Sequence, residues 1–187
     1  VFMSDQHTSR LIGNLQDNEV DTPNLSRFAA EGTRFTSAYS SCPVCVPARF
    51  GFLTGRQASR TGVMTNGNIM PSELATLAHS FGAAGYETVL CGRMHFCGQD
   101  QRHGFMRRLV GDFTPCIQGR GVARRADLGP YVSTPAGDWP KLYGGGTSPV
   151  LEYDRAVLAA ALEELAGPHD HPLLLVVGTY GPHHTFV

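Results

Sequence analysis

An uninterrupted apolar run at residues 172–178, Pro-Leu-Leu-Leu-Val-Val-Gly, constrains the fold more than any other feature of the sequence. Its length and composition are typical of a strand that is buried on both faces, as in the centre of a parallel sheet. A segment with helical spacing precedes it at 152–167, and a second helix and strand pattern lies at 72–85 and 86–91. This alternation predicts an α/β fold with a mostly parallel sheet flanked by helices.

Capping residues and alternation predict further elements. Thr22, Pro23 and Gly32 frame a short helix. Residues 34–39 alternate in polarity and are rich in β-branched and aromatic side chains, which predicts a strand. For the helix at 152–167 we expect a core face made of Ala156, Leu158, Ala159, Leu162 and Leu165.

Residues 98–150 contain many Gly, Pro and Arg residues and show little periodicity. They predict a loop-rich insertion that shapes a substrate site, within a single domain that spans residues 1–187. Trp139, the only tryptophan, lies in this segment and is a candidate for a cation–π contact with a cationic substrate group.

The charge balance argues against several classes of partner. Lys and Arg number 15 against 16 Asp and Glu, so the net charge is −1, which does not suit a broad electrostatic grip on nucleic acid or an anionic membrane. No apolar run approaches the roughly 20 residues of a membrane helix. The five cysteines are odd in number, which does not suit a secreted disulfide framework. We therefore expect a cytoplasmic protein that binds neither nucleic acid nor membrane.

Asp5, His95 and His183 lie directly after predicted strands. In parallel sheets, ligands bind beyond the carboxyl ends of the strands. We therefore expect these three side chains to meet at one edge of the sheet.

Cys45 lies at a proline-rich turn that leads into a predicted helix, with Arg49 one helical turn further on and Arg56 shortly after. A helix N-terminus and guanidinium groups around a nucleophile make a site for a tetrahedral oxyanion. The alternative is a redox pair or half of a zinc site formed with Cys42. A zinc site would need a second Cys or His pair at finger-like spacing, which the sequence does not contain.

Several separated motifs resemble those of the type I sulfatase family and follow in the family's order. Residues 45–49, Cys-Val-Pro-Ala-Arg, and 54–56, Thr-Gly-Arg, are similar to its signature Cys-x-Pro-x-Arg followed by Thr-Gly-Arg. Asp-Gln at 5–6, Gly-Tyr-Glu-Thr-Val-Leu-Cys-Gly-Arg-Met-His at 85–95 and Pro-His at 182–183 are similar to further family motifs. The chain most resembles the branch of choline-sulfatases and phosphonate monoester hydrolases.

The resemblance implies an alkaline-phosphatase-like α/β sandwich that hydrolyses a sulfate monoester. It implies that a formylglycine-generating enzyme oxidises Cys45 to formylglycine, whose hydrated gem-diol supplies the nucleophilic oxygen. A divalent cation would assist, Ca²⁺ in most of the family, with Mg²⁺ or Mn²⁺ as alternatives. The residues carried over are Cys45, Arg49, His95 and His183 as catalytic groups, Asn66 and Arg93 as substrate ligands, and Asp5 and Gln6 as metal ligands.

Two features depart from the family's pattern. Arg93 takes the position of a lysine, and its forked guanidinium grips an anion differently from a point charge. The family's remaining metal ligands fall beyond the point that corresponds to Val187. We therefore expect the N-terminal part of a longer protein, completed by a C-terminal segment or a homo-oligomer.

The expected substrate is a small sulfate ester, and two alternatives stay open. One is a phosphonate or phosphate ester hydrolase that shares the same machinery. The other is a non-catalytic anion-binding fragment in which Cys45 is unmodified.

Overall fold

A computed structural model of the chain describes residues 1–12, 20–113 and 144–184. These residues form two compact units. One consists of Val1–Asp5 and Ser40–Val187, and the other of Gln6–Tyr39.

The first unit is built on a parallel sheet of four strands. They are β1 (Phe2–Met3), β2 (Glu87–Gly92), β3 (Arg107–Arg108) and β4 (Leu173–Gly178), in the spatial order β1-β4-β2-β3. Every neighbouring pair is parallel. The apolar run thus forms a central strand between β1 and β2, which confirms the α/β prediction.

Helices cover both faces of this sheet, because alternate residues of the central strands point to opposite sides. Leu90 and Val176 join a core with helices α2 (Cys45–Thr54) and α4 (Leu77–Ala83). A second core lies on the other face under helix α5 (Pro149–Ala166) and includes Val89, Cys91, Leu175, Val177 and Val157. A short helix α3 (Ala58–Thr61) follows α2. Among the described residues, no helix is both long and apolar enough to cross a bilayer.

Helix α5 turns a different face to the sheet from the one predicted. Its buried residues are Val150, Tyr153, Val157 and Ala161, whereas Leu162 and Leu165 are 66% and 59% exposed. Both sets recur at helical spacing, so periodicity does not choose between them. The close approach of α5 to β2 does: a Cβ at Gly92 would lie 2.8 Å from a methyl group of Val157, which leaves no room for leucine in place of Val157.

Helix α4 begins later than the pattern over 72–85 predicts. Thr76 is its N-cap, and the Thr76 N–H donates to the His79 ring at 3.1 Å in a capping box. Helix α2 ends at Gly55, whose φ of +65° favours glycine.

The second unit contains a 3₁₀ turn (Ser9–Leu11) and helix α1 (Pro23–Glu31). Thr22 and Pro23 begin α1 as predicted. The strand predicted over 34–39 is wrong: these residues form no strand, and Phe35 and Tyr39 are exposed. A strand needs a neighbour for its backbone groups, and the described part of this unit contains none.

Candidate active site

The carboxyl ends of three neighbouring strands bring together the polar residues that follow them. Asp5 follows β1, Arg93 and His95 follow β2, and His183 follows β4. Asp5, His183 and the Cys45 thiol offer ligand atoms that all lie within 4.8 Å of one another. The geometry therefore matches the strand-end prediction for Asp5 and His183, and His95 joins them through its contacts with Arg93 and Cys45.

Glycines at the strand ends let the backbone pass close to the site. The Arg93 N–H donates to the Gly178 carbonyl at 2.8 Å, and a Cβ at Gly178 would lie only 1.9 Å from the Arg93 carbonyl oxygen. No side chain fits there, so glycine fixes how β4 and the residue after β2 meet.

Arg93 lies at the centre of the site and is only 1% exposed. Its Nε donates to Asp5 Oδ2, its Nη1 donates to Asp112 Oδ1 at 3.2 Å, and its Nη2 lies 3.0 Å from His95 Nδ1. The Tyr180 ring stacks on the guanidinium at 4.5 Å. Burial alone would lower the pKa of Arg93, but the carboxylates of Asp112 and Asp5 raise it, so the group stays charged.

Asp112 is a site residue that the sequence analysis missed. Its carboxylate accepts from the backbone N–H groups of Met94 at 3.1 Å and His95 at 2.5 Å, and Arg108 Nη2 lies 3.7 Å away. Burial alone would raise the pKa of Asp112, but the guanidinium groups of Arg93 and Arg108 hold it at about 2. Asp112 therefore anchors both the chain and the guanidinium group after β2.

Asp112 lies in the segment predicted as a loop-rich insertion, and the first part of that segment is more regular and more buried than predicted. Strand β3 and the buried Phe105, Val110 and Asp112 all lie in its first part. A strand of two residues is too short to show periodicity, so this carboxylate could not be predicted from the sequence. Residues 114–143, including Trp139, lie outside the described part of the chain.

Cys45 is the first residue of α2. The backbone N–H groups at a helix N-terminus favour a bound anion. The next N–H, of Val46, donates to Asn66 Oδ1 at 2.9 Å, so Asn66 caps the helix beside Cys45. A hydrogen bond with His95 is the main cause that lowers the pKa of Cys45, with Arg93 adding to it, while burial and Asp5 oppose it.

Arg49, one turn into α2, is buried and reaches the same cluster. Its Nη2 lies 3.7 Å from Asp5 Oδ2, and its Nη1 donates to the Arg93 carbonyl at 2.9 Å. Burial lowers the pKa of Arg49, partly offset by Asp5. The expected second guanidinium, Arg56, is instead exposed beyond the far end of α2, about 15 Å along the helix axis. Arg93 supplies the second guanidinium group of the cluster instead.

His183 follows β4 in the chain and lies in the same cluster as Asp5 and Cys45. Its ring packs against Tyr180 with centroids 4.9 Å apart, and its Nδ1 lies 2.9 Å from the His184 carbonyl oxygen. Tyr180 thus contacts both Arg93 and His183, and burial raises the pKa of Tyr180 to about 12.

The donors present suit one side of a divalent-cation site. Asp5 offers a carboxylate oxygen, and Cys45 would offer oxygen if its sulfur were replaced. Ca²⁺ takes six to eight oxygen ligands, so the described residues account for part of a set only. Gln6 follows Asp5 in the chain and is exposed with a φ of +56°. It belongs to the second unit, so its role as a ligand stays a prediction.

The alternative built on Cys42 finds no support in this cluster. Cys42 and Cys45 are both free thiols. The Cys42 Sγ faces the Met64 carbonyl oxygen at 3.8 Å and is not one of the grouped metal-ligand atoms. The arrangement instead gathers a nucleophilic position, a helix N-terminus, two guanidinium groups and two histidines, which suits an oxyanion and proton transfer.

Comparison with known proteins agrees with this chemistry. A family model described as Sulfatase matches residues 2–187. The choline-sulfatase of Rhizobium meliloti (strain 1021) is 34% identical, with an alignment covering all of this chain and 38% of that protein. An uncharacterized sulfatase, YidJ, of Escherichia coli (strain K12) is 39% identical over 52% of this chain and 20% of its own length.

Solved structures agree on the fold. The structure of BT4656 in complex with D-glucosamine-2-N,6-O-disulfate has a TM-score of 0.70 at 21% identity, over all of this chain and 34% of that one. The phosphonate monoester hydrolase of Agrobacterium radiobacter has a TM-score of 0.56 at 17% identity, over 88% and 36%. The fold is therefore the alkaline-phosphatase-like sandwich expected, and the chain spans between 20% and 38% of the length of these longer proteins.

Proposed function

This chain belongs to the sulfatase family, and we propose on that basis that the protein hydrolyses a sulfate monoester with an oxygen nucleophile made from Cys45. One observation carries the proposal. The Cys45 side chain opens helix α2 within hydrogen-bonding reach of His95 and in a cluster with Asp5 and His183. Positive charge for a sulfuryl group comes from the buried Arg49 and Arg93.

The nucleophile is produced by oxidation of Cys45 to formylglycine. The sulfur leaves, oxygen replaces it, and two electrons pass to an oxidant that a formylglycine-generating enzyme supplies. Hydration of the aldehyde then places two hydroxyl groups on one carbon. The hydrogen bond with His95 lowers the pKa of the Cys45 thiol, and a donor in this position would also favour an anionic oxygen there.

Hydrolysis then needs three proton transfers. One hydroxyl at position 45 loses its proton to water and its oxygen attacks the sulfur of the ester, while the S–O bond to the alcohol breaks and the alcohol leaves with a proton from His183. The second hydroxyl gives its proton to His95 and re-forms the aldehyde as sulfate departs. Histidine suits both roles near neutral pH.

The arginines and Asn66 hold the anion in this proposal. Arg93 is fixed by Asp5 and Asp112 and places a charged guanidinium beside His95. Arg49 adds a second charge from inside α2, and Asn66 lies at the helix start. Preorganised charge of this kind acts most strongly when water is excluded.

Asp5 and Gln6 are the proposed ligands of a divalent cation, with Ca²⁺ favoured by their oxygen donors. When bound, such a cation lowers the proton affinity of the attacking oxygen and polarises the sulfuryl oxygens. The proposed substrate is a small alkyl sulfate, choline sulfate first, because a choline-sulfatase is similar over the whole of this chain.

Sulfate release from choline sulfate and from 4-nitrophenyl sulfate tests the proposal, using the natural full-length protein matured in its own host. Cys45→Ala should lower kcat by about a thousandfold or more, because it removes the nucleophile. Cys42→Ala is the matched control, since this free thiol lies outside the cluster, and it should keep kcat within about twofold.

Two results would contradict the proposal. Full sulfate release by Cys45→Ala would remove Cys45 from the chemistry. Rapid cleavage of 4-nitrophenyl phenylphosphonate, with no turnover of either sulfate ester, would instead assign the protein to phosphonate hydrolysis.

A further inference from the structure

Asp154 lies on α5, outside the cluster of residues described above, and binds the loop that carries His183. Its Oδ1 accepts from the Tyr180 N–H at 2.7 Å, and its Oδ2 accepts from the Gly181 N–H at 2.8 Å. Both carboxylate oxygens are therefore engaged with two consecutive backbone groups of the chain that leaves β4. A carboxylate that accepts two such bonds is a strong and directional clamp.

The fit between this carboxylate and the loop leaves no room for a side chain at position 181 unless the Asp154 carboxylate moves. A Cβ at Gly181 would lie 2.7 Å from Asp154 Oδ2. Glycine at 181 and aspartate at 154 thus form a matched pair. Burial raises the pKa of Asp154, and the hydrogen bonds from the Tyr180 and Gly181 N–H groups offset this desolvation only in part.

The loop held by Asp154 carries Tyr180 and His183, two side chains of the candidate site. The Tyr180 ring stacks on the Arg93 guanidinium at 4.5 Å and meets the His183 ring at 4.9 Å. The His183 N–H donates to the Tyr180 carbonyl at 3.1 Å. Movement of the backbone at 180–181 would therefore displace His183 relative to Arg93.

We propose that Asp154 is a positioning residue that holds His183 in the orientation from which it protonates the leaving alcohol. This role rests on the proposed function, in which His183 is the general acid. Asp154 touches no reacting atom and acts through the backbone of Tyr180 and Gly181. Packing of α5 on the sheet depends instead on Val150, Tyr153, Val157 and Ala161.

Leaving-group dependence distinguishes positioning from a purely structural role. An alkyl sulfate has a poor leaving group and needs the proton, whereas 4-nitrophenyl sulfate has a good one and needs it far less. Asp154→Asn keeps the shape but presents an amide nitrogen to an N–H donor. We expect it to lower kcat for choline sulfate by about 30-fold and for 4-nitrophenyl sulfate by less than about threefold, with little change in KM.

A double variant supplies the second criterion. If Asp154 acts through His183, Asp154→Asn should add less than about twofold to the loss caused by His183→Ala. Glu163→Gln is the control, because it removes an exposed carboxylate from the same helix, and it should leave both substrates unaffected. Melting temperatures of all variants are measured in parallel to identify any that do not fold.

The outcomes separate this inference from the proposed function. Equal losses for both esters, or losses in the double variant that multiply, would overturn the positioning role while leaving sulfate hydrolysis intact. A wild-type protein that hydrolyses neither ester would refute the proposed function and this role with it. Asp154→Ala, which removes both acceptors, should show the same difference between the two esters, and if it fails to fold, the isosteric Asp154→Asn still decides the question.

Discussion

Replacement of Asp112 by asparagine should destabilise the protein at neutral pH and remove part of its sensitivity to acid. The carboxylate is fully enclosed between Arg93, Arg108 and the N–H groups of Met94 and His95. Asparagine keeps the shape but loses the charge, and one of its two polar atoms becomes a donor that faces other donors.

The magnitude follows from the pKa of Asp112, which falls from 3.8 to about 2 on folding. That difference corresponds to roughly 2–3 kcal/mol of stability above pH 4. Because the folded pKa is depressed, the contribution is present above the unfolded pKa and is lost as the pH falls from 4 through about 2. For a chain of this length, we expect Asp112→Asn to lower the melting temperature at pH 7 by about 5–10 °C.

Thermal melts of wild type and Asp112→Asn between pH 2 and pH 8 test this reasoning. The two curves should be furthest apart at neutral pH and should converge below pH 4. Asp170→Asn, an exposed aspartate in the turn before β4, is the control and should match wild type throughout. A gap that is absent at pH 7, or that stays constant down to pH 2, would refute the account of Asp112.

Three further predictions concern the surroundings of the site. His103 is buried between Phe50 and Phe96, and burial lowers the pKa of His103 from 6.5. Wild type should therefore lose stability as the pH falls below 6.5, and this loss should be absent in His103→Asn when urea unfolding is compared at pH 5 and pH 8. Gly92→Ala should cost about 3 kcal/mol or more in urea unfolding, because its Cβ would lie 2.3 Å from the Gly178 carbonyl oxygen. Asn66→Ala should cost about 1 kcal/mol, through the lost cap on α2, measured in the same assay.

The His103 and Gly92 predictions each have a control variant and a result that would count against them. His171→Asn, which removes an exposed histidine, should leave the pH slope unchanged, and an unchanged slope in His103→Asn would contradict the buried-histidine argument. Gly145→Ala, where a Cβ meets nothing within 4 Å, should be tolerated. A Gly92→Ala protein as stable as Gly145→Ala would contradict the close approach of β2 and β4.

The strand ends were the most predictable part of the site. Asp5, His95 and His183 each follow a strand, and parallel strands bring their carboxyl ends to one edge. Cys45 and Arg49 were predictable for a second reason, because four residues make one turn of a helix. These inferences needed only local patterns and one rule of topology.

The rest depended on contacts between segments far apart in the chain. Asp112 follows a strand of two residues, which is too short to recognise from periodicity. Asp154 is one acidic residue among several on α5, and only its contact with the loop at 180–181 distinguishes it.

The exposed leucines of α5 show the same limit. Two apolar stripes were present in the sequence, and the close packing of Val157 against Gly92 decided which one is buried. The strand predicted at 34–39 failed for a related reason, since alternation does not supply a neighbouring strand.

The chemical state of Cys45 tests the central claim most directly. Mass spectrometry of the peptide spanning Cys45, from protein purified from its natural host, distinguishes a CH₂SH side chain from an aldehyde. The account predicts that the thiol has been replaced by the aldehyde or its hydrate at Cys45, while Cys42 in the same peptide keeps its thiol. An unmodified thiol at Cys45 in protein that still releases sulfate would contradict the formylglycine mechanism.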